Sequence, residues 1–390
     1  MRTTARILVL AVLAAAGVLL APRAGALTYT FTTIALSGPT HESFETRPAL
    51  NDAGTVAFGA TLAAGGNGIF TGSGGAITTI AQSGPTFTNV LGSAPSINAD
   101  GTVAFEAQLA GGSGLFTGSG GAVATVVDNS GFFGASFTFF GRPSLNDVGS
   151  VAFSAQLTND DEGIYFKSPI LLIPISIASV VEPGEADHAS LNGVGAVAYL
   201  ESAPLPVPSA SIRRLDAGGT TTIASGSPAL PVTFGTLGMP SLNDAGTVAF
   251  RASLGAGGSG IFTGSGGATT AIADSTGPFT TFDTPSLDSA GKVAFWAELD
   301  AGGSGIFLGP NPVADKVIRT GDPLAGSTVT ALDFFLEGLN DGGSLAFWAS
   351  LADGRTGVFR ADLVPEPSSA ALLACGLASL ALAARRRRGG

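Results

Sequence analysis

The sequence predicts an all-β protein: a seven-bladed β-propeller with four-stranded blades, its ring closed by an N-terminal strand that completes the last blade. Three observations predict it. First, Asn-Asp-x-Gly-(Thr/Ser)-Val-Ala-Phe, or a close variant, recurs seven times, at turns beginning with Asn51, Asn98, Asn146, Asn192, Asn243, Asp288 and Asn340. The steps between turns are 47, 48, 46, 51, 45 and 52 residues. A period in that range marks one supersecondary unit copied along the chain, and a β-rich unit of that length is a propeller blade. Second, each turn leads into alternating apolar positions bounded by Gly-rich turns, the pattern of short strands. Third, the seventh copy ends before its fourth strand, and a matching segment stands at the start of the body.

Residues 94–130 show one unit. Ala94-Pro95-Ser96-Ile97 is the first strand, and Asn98-Ala99-Asp100-Gly101 a tight turn whose Gly takes the left-handed conformation. Residues 102–109 are the second strand, with Val103, Phe105, Ala107 and Leu109 on one face. Leu115-Phe116-Thr117 is the third strand, residues 123–127 the fourth. The second strand recurs as Val-Ala-Phe, Val-Ala-Tyr or Leu-Ala-Phe at 56, 103, 151, 197, 248, 293 and 345. A large residue on one face and Ala on the other lets adjacent blades interdigitate. The third strand recurs as Gly-Ile-Phe or a variant, except in the fourth unit, where Ile212-Arg213-Arg214-Leu215 takes its place. After Val358-Phe359-Arg360 no fourth strand follows, but Thr33-Ile34-Ala35-Leu36-Ser37-Gly38-Pro39-Thr40 matches Thr79-Ile80-Ala81-Gln82-Ser83-Gly84-Pro85-Thr86. That permutation removes the open edges of a linear array.

The two ends read as addresses. Arg2 and Arg6 precede an apolar run from residue 7 to 20, and Ala24-Gly25-Ala26 supplies a small-residue cleavage site. Residues 1–26 are therefore expected to be a secretory signal peptide cut after Ala26. Residues 27–363 are the repeat body. Residues 364–390 hold Pro365-Glu366-Pro367, seventeen small or apolar residues and four Arg. The apolar stretch is at the lower limit for a transmembrane helix, with the Arg cluster on the cytoplasmic side. This end resembles a PEP-CTERM sorting signal. The resemblance implies recognition by an exosortase-type enzyme in a Gram-negative bacterium, and release or attachment at the cell surface, often beside exopolysaccharide production. The body is similar to the Asn-Asp-x-Gly-x-Val-Ala-Phe repeat proteins found with this signal, including a Gly-Asp-Pro-x-x-Gly stretch at Gly321-Asp322-Pro323-Leu324-Ala325-Gly326. That likeness implies a propeller-like fold and no established activity.

Without its two ends the body has 11 basic and 28 acidic residues, a net charge of −17. A nucleic-acid partner needs a basic face and is not expected. The only cysteine, Cys375, lies in the C-terminal apolar stretch, so the body has no disulfide and no thiolate chemistry. The two histidines, His41 and His188, stand far apart in sequence, with no Gly-x-Ser-x-Gly elbow and no His-Glu-x-x-His. No cofactor is expected beyond an optional Ca²⁺.

Three departures from the repeat mark candidate sites. In the fourth unit Glu182, Glu185 and Asp187 cluster with His188 on a crossover, read either as a Ca²⁺ or ligand site or as a solvated loop. In the third unit Asp160, Asp161 and Glu162 replace the usual Gly-Gly-Ser, again either Ca²⁺ ligands or a polar hairpin tip. The column before the first-strand Pro is Arg47, Ala94, Arg142, His188, Met239, Thr284 and Leu336. If the first strand is innermost, Arg47, Arg142 and His188 form a cationic spot at one channel mouth, suited to an anionic sugar or carboxylate. The alternative is that each caps a local carboxylate such as Glu45. Trp296 and Trp348, after the second-strand Phe, are read as blade packing or as sugar-stacking residues. Phe132, Phe133, Phe137, Phe139 and Phe140 form an aromatic crossover, core or binding patch. Together these readings predict a surface or matrix module that binds polysaccharide or another surface protein and is not an enzyme. The alternative is a polysaccharide-active hydrolase or lyase with carboxylates at a channel mouth.

Overall fold

A computed structural model describes residues 27–45, 47–129, 137–158, 162–170, 175–180, 189–203, 209–226 and 233–364. Among them every regular element is a β-strand. The expected propeller class is the class observed. In the second unit the strands are Ser96–Ile97, Val103–Leu109, Gly112–Gly118 and Ala124–Asp128, paired antiparallel in sequence order. The signal-peptide and sorting segments fall outside the described residues. Among the described residues no helix is long and apolar enough to cross a membrane.

The Val-Ala-Phe strand forms because its two faces pack against two different neighbours. Phe58, Phe105, Phe153, Phe250, Phe295 and Phe347 are fully buried, as are the alanines before them. The alanine face of one unit meets the aromatic face of the next. Ala57 and Ile69 of the first unit cluster with Val103 and Phe105 of the second, and Ala249 and Ile261 of the fifth with Phe295 and Phe307 of the sixth. Ala346 and Val358 of the seventh unit cluster with Val56 and Phe58 of the first. The last repeat therefore packs on the first. Strand Tyr29–Leu36 pairs antiparallel with Thr356–Leu363, so the start of the body supplies the fourth strand of the seventh unit.

The repeated turn residues hold the ring together at its axis. Asn51 Nδ2 donates to the Asn98 carbonyl at 2.9 Å. The same bond runs from Asn98 to Asn146, Asn146 to Asn192, Asn192 to Asn243 and Asn243 to Asp288. Asn340 donates to the carbonyl of Asn51 at 3.1 Å. Each Oδ1 accepts the backbone N–H four residues on within its own turn, as Asn146 does from Ser150 at 2.9 Å. The Gly at the fourth turn position sits at φ between 77° and 87° in all seven copies, a region that favours glycine. First-strand serines add a parallel set of links: Ser96, Ser144, Ser190, Ser241 and Ser286 each accept a backbone N–H from the following unit.

The innermost strand is broken in two, which the sequence reading does not anticipate. In the first unit His41–Phe44 and Ala49–Leu50 both pair with the second strand Val56–Leu62. In the third unit Phe137–Phe140 and Ser144–Leu145 both pair with Val151–Leu157. The segment read as an aromatic crossover is thus a strand in its second half: Phe137 and Phe140 are buried and Phe139 is 45% exposed. Phe132 and Phe133 lie outside the described residues. Between the two half-strands the chain bulges, and Arg-Pro occupies the bulge in both units. Bulges re-aim side chains next to functional sites.

Candidate functional site

The bulge brings together residues that are far apart in sequence. A cavity of about 170 Å³ is lined by Arg47, Ser93, Glu106, Phe139, Arg142 and Phe335, with Ala94 and Met239 at its edge. Four members of the column before the first-strand Pro therefore meet at one cavity: Arg47, Ala94, Arg142 and Met239. A fifth, Leu336, offers its carbonyl to Arg142 Nη2 at 3.5 Å. His188 is outside the described residues.

Arg142 is built into the wall. Its side chain is 6% exposed. Nε donates to the Ala94 carbonyl at 3.3 Å and Nη2 to the Pro95 carbonyl at 3.1 Å. Nη2 also stands 3.3 Å from Glu337 Oε2, an ion pair off the hydrogen-bond direction. Nη1 is buried with no hydrogen-bond partner among the described residues. Burial lowers the Arg142 pKa, Glu337 opposes that shift, and the like charge of Arg47 adds to it. Arg47 is exposed, and its guanidinium lies 4.3 Å from the centre of the Phe335 ring. Arg142 sits 5.3 Å from the same ring. Cations over an aromatic face are attracted by its quadrupole.

The seventh unit departs from the repeat to supply this partner. Where other units carry Arg-Pro or its equivalent, it carries Leu336-Glu337, and Glu337 adopts φ 59°. Its carbonyl accepts the Leu50 N–H at 2.8 Å. Its Oε1 accepts from Ser144 Oγ at 3.1 Å. The strain of a non-glycine residue in that region is held by these contacts on two other units.

Glu106 is a titratable group that its place in the sequence does not single out. It follows Phe105 in the column of Gly59, Ser154, Leu200, Arg251, Trp296 and Trp348. This column faces the bulge, and sizes compensate: Gly92 stands against Glu106, Gly141 against Ser154 and Gly238 against Arg251, whereas Glu45 stands against Gly59. A Cβ on Gly92 would come 2.5 Å from the Glu106 carboxyl. Glu106 is 6% exposed, and burial pushes its pKa up from 4.5 to about 7. The trace it leaves in the sequence is a carboxylate on a buried strand; the glycine it faces shows only in the fold.

The other candidates are placed differently. Asp160, Asp161, Glu182, Glu185 and Asp187 lie outside the described residues. Glu162 is buried in strand Glu162–Lys167, opposite Gln156. Among the described residues no group of His, Cys, Asp or Glu could hold a metal ion. His41 stands in the column of Phe137, Phe234 and Phe279, packed on Phe44, Phe58 and Phe70, and burial lowers its pKa. It is a core residue. Trp296 and Trp348 pack against apolar clusters between units, each with a buried indole N–H lacking a partner among the described residues. Motif aspartates tie neighbouring units together, since Asp147, Asp244, Asp341 and Asp52 accept backbone N–H groups of the adjacent turn. Burial is the main cause that raises Asp52, with like charges from Asp341, Asp147 and Asp244 adding to it.

Comparison with known proteins places the chain in a family. Residues 16–172, 174–338 and 335–371 match the model of a family of unknown function (DUF7453), and the chain belongs to that family. No curated protein matches the sequence. Solved structures that are similar include the β-propeller domain of the Trilobed protease from Pyrococcus furiosus, at TM-score 0.57 and 10% identity, covering 87% of this chain and 100% of that one. A puromycin-hydrolysing peptidase of Mycobacterium tuberculosis matches at 0.53 and 14%, covering 87% of this chain. The present chain spans only 54% of that peptidase's length. An oligogalacturonate lyase from Vibrio parahaemolyticus matches at 0.54 and 12%, covering 88% of this chain and 99% of the lyase. Likeness at such identities establishes the fold alone. It does overturn one expectation: a peptidase and a lyase carry this architecture, so the propeller is no ground for classing the chain as a non-enzyme.

Proposed function

We propose that this chain is an exported, polysaccharide-active enzyme of the hydrolase or lyase kind, with Glu106 as its proton-transfer group. One observation carries the reading. Glu106 is a carboxyl poised near neutral pH in a cavity that also holds two arginines. A general acid or base works best when its pKa lies near the working pH, and burial is how a carboxyl gets there. The similar lyase, nearly all of whose length is matched, supports assigning chemistry to the ring itself. The same proposal keeps the address read from the ends. Residues 1–26 direct export, and residues 364–390 pass to an exosortase-type enzyme at the surface of a Gram-negative cell, beside exopolysaccharide.

The test is a panel of neutral and acidic polysaccharides incubated with the full-length chain and with Glu106→Gln. New reducing ends report either reaction, and ultraviolet absorbance of an unsaturated sugar reports elimination alone. The expected result is chain shortening by wild type and a loss of at least about 100-fold in Glu106→Gln, the usual weight of a general acid–base group. Equal rates in the two proteins would remove Glu106 from the chemistry. No shortening of any polymer by wild type would remove the proposal.

A further inference from the structure

We infer that the cavity takes the carboxylate of a uronic-acid residue, gripped between Arg142 and Arg47, and that the reaction at this site is β-elimination. The inference rests on the polysaccharide-active reading above and names its substrate class.

Arg142 has an unused donor. Three backbone carbonyls and Glu337 fix the Arg142 guanidinium through Nε and Nη2, which leaves Nη1 buried with no partner among the described residues. A buried polar nitrogen is ordinarily satisfied, so an orphan on a residue that lines the cavity points to a ligand acceptor. Ser93 Oγ, on the same wall, is a second buried polar atom without a partner among the described residues. Arg47 is the third donor, exposed, with its guanidinium carbon 4.3 Å from the centre of the Phe335 ring. Guanidinium forks match the two oxygens of a carboxylate in one plane.

Both arginines lie by the Phe335 ring, and among the described residues Glu337 is the carboxylate paired with Arg142. The local balance is one positive charge while Glu106 is protonated and falls to zero when Glu106 ionises to act as base. In either state a monoanion meets less repulsion than a doubly charged phosphate group. Repulsion from the acidic body is screened within roughly 10 Å at ordinary salt, so the local pair governs binding.

Pockets for drug-sized ligands run to roughly 300 Å³ and above. A cavity of about 170 Å³ therefore holds one sugar residue of a polymer, with Phe139 and Met239 offering apolar surface to its C–H face. Hydrolysis by paired carboxylates needs a second free acid. Glu337, the other carboxylate in contact with this wall, is held by Ser144 and Arg142. Elimination needs one base and a neutralised carboxylate. Ionised Glu106 removes the C5 proton, which the arginine-bound carboxylate acidifies. The electron pair forms the C4–C5 double bond as the C4–O bond breaks. The departing sugar keeps that oxygen, takes up a proton and becomes a new reducing end. Atoms and electrons balance without a further reactant.

The test is calorimetric titration of the full-length chain, in wild-type, Arg47→Ala, Arg142→Lys and Glu106→Gln forms. The probes are a 4-linked hexuronic-acid oligomer, its neutral hexose counterpart and inorganic sulfate. The expected result is binding of the uronate oligomer at least about 10-fold tighter than the neutral one, and about 10-fold weakening in Arg47→Ala and Arg142→Lys. Glu106→Gln should keep the binding. Arg47 is exposed, so Arg47→Ala decides the matter if Arg142→Lys fails to fold. Equal affinity for the neutral oligomer, tighter binding of sulfate, or wild-type affinity in Arg47→Ala overturns the carboxylate clamp. Binding is read without turnover. A clamp that holds while no unsaturated product forms retires the elimination step and leaves the carboxylate site standing. Neutral-polymer cleavage with no uronate preference retires both the clamp and the elimination, and leaves only the polysaccharide-active reading standing.

Discussion

Glu106 makes the stability of the ring depend on pH, in a direction opposite to that of most carboxylates. Its pKa rises from 4.5 to about 7 on folding, because burial penalises the charged form. Between these values the folded chain binds more protons at this site than the unfolded chain, so stability falls as pH rises through the window. At roughly 1.4 kcal/mol per pH unit, the full effect is about 3 kcal/mol. About 2.5 kcal/mol of it is lost between about pH 5 and pH 8. Glu106→Gln removes the titration while keeping the shape against Gly92. Urea unfolding of the two proteins at both pH values isolates the contribution, because the rest of the titration curve is common to both. The variant should gain on wild type by about 2.5 kcal/mol from pH 5 to pH 8. A difference below about 0.5 kcal/mol would show that Glu106 is hydrated, and would take the poised acid–base group away with it.

Other outcomes follow from the axial network. Asp288 replaces Asn in the ring of amide donors, and its carboxylate cannot donate to the next unit; Asp288→Asn should raise unfolding free energy by about 1 kcal/mol, and a lower urea midpoint would refute this. Burial raises the Asp288 carboxyl above its ordinary range, so by the same sign the gain should be larger at pH 8 than at pH 4. Asn146→Ala removes a bond to the Asn192 carbonyl at 3.1 Å and one from Ser150 N at 2.9 Å, both buried; about 3 kcal/mol of destabilisation is expected, and a loss under 1 kcal/mol in urea titration would sink the account. Removing residues 27–37 exposes the edge of Thr356–Leu363, and size-exclusion chromatography should show association; a monomer with an unchanged melting temperature would refute the closing role of this strand.

Much of the scaffold was legible because the repeat imposes it seven times. Val-Ala-Phe announces a strand buried on both faces, and the missing fourth strand after Arg360 points back to residues 33–40. The split innermost strand was not legible in one unit. His41-x-x-Phe44, Phe137-x-x-Phe140 and Phe279-x-x-Phe282 carry its signal, but only alignment of the units makes two aromatics three apart into a strand. Arg47 and Arg142 stood out as a column that refuses to repeat, and they do meet at one cavity. Glu106 did not stand out, since on a strand its neighbours in sequence say nothing of what faces it. Phe335 and Glu337 escaped for a related reason: they lie in the irregular segment between half-strands, whose path depends on contacts with Leu50 and Ser144 in other units.

The pairing of Tyr29 with Leu363 sets an order of events in time. The first strand among the described residues has its partner 334 residues later, so until that partner is made it has nothing to pair with. The loop it closes is nearly the length of the body, and such long-range pairings form late and slowly. A chain that stops early leaves two raw edges and an unfilled interface between its last unit and its first. Closure thus depends on length: only a chain carrying every repeat pairs both of these edges and fills the interface between its last unit and its first.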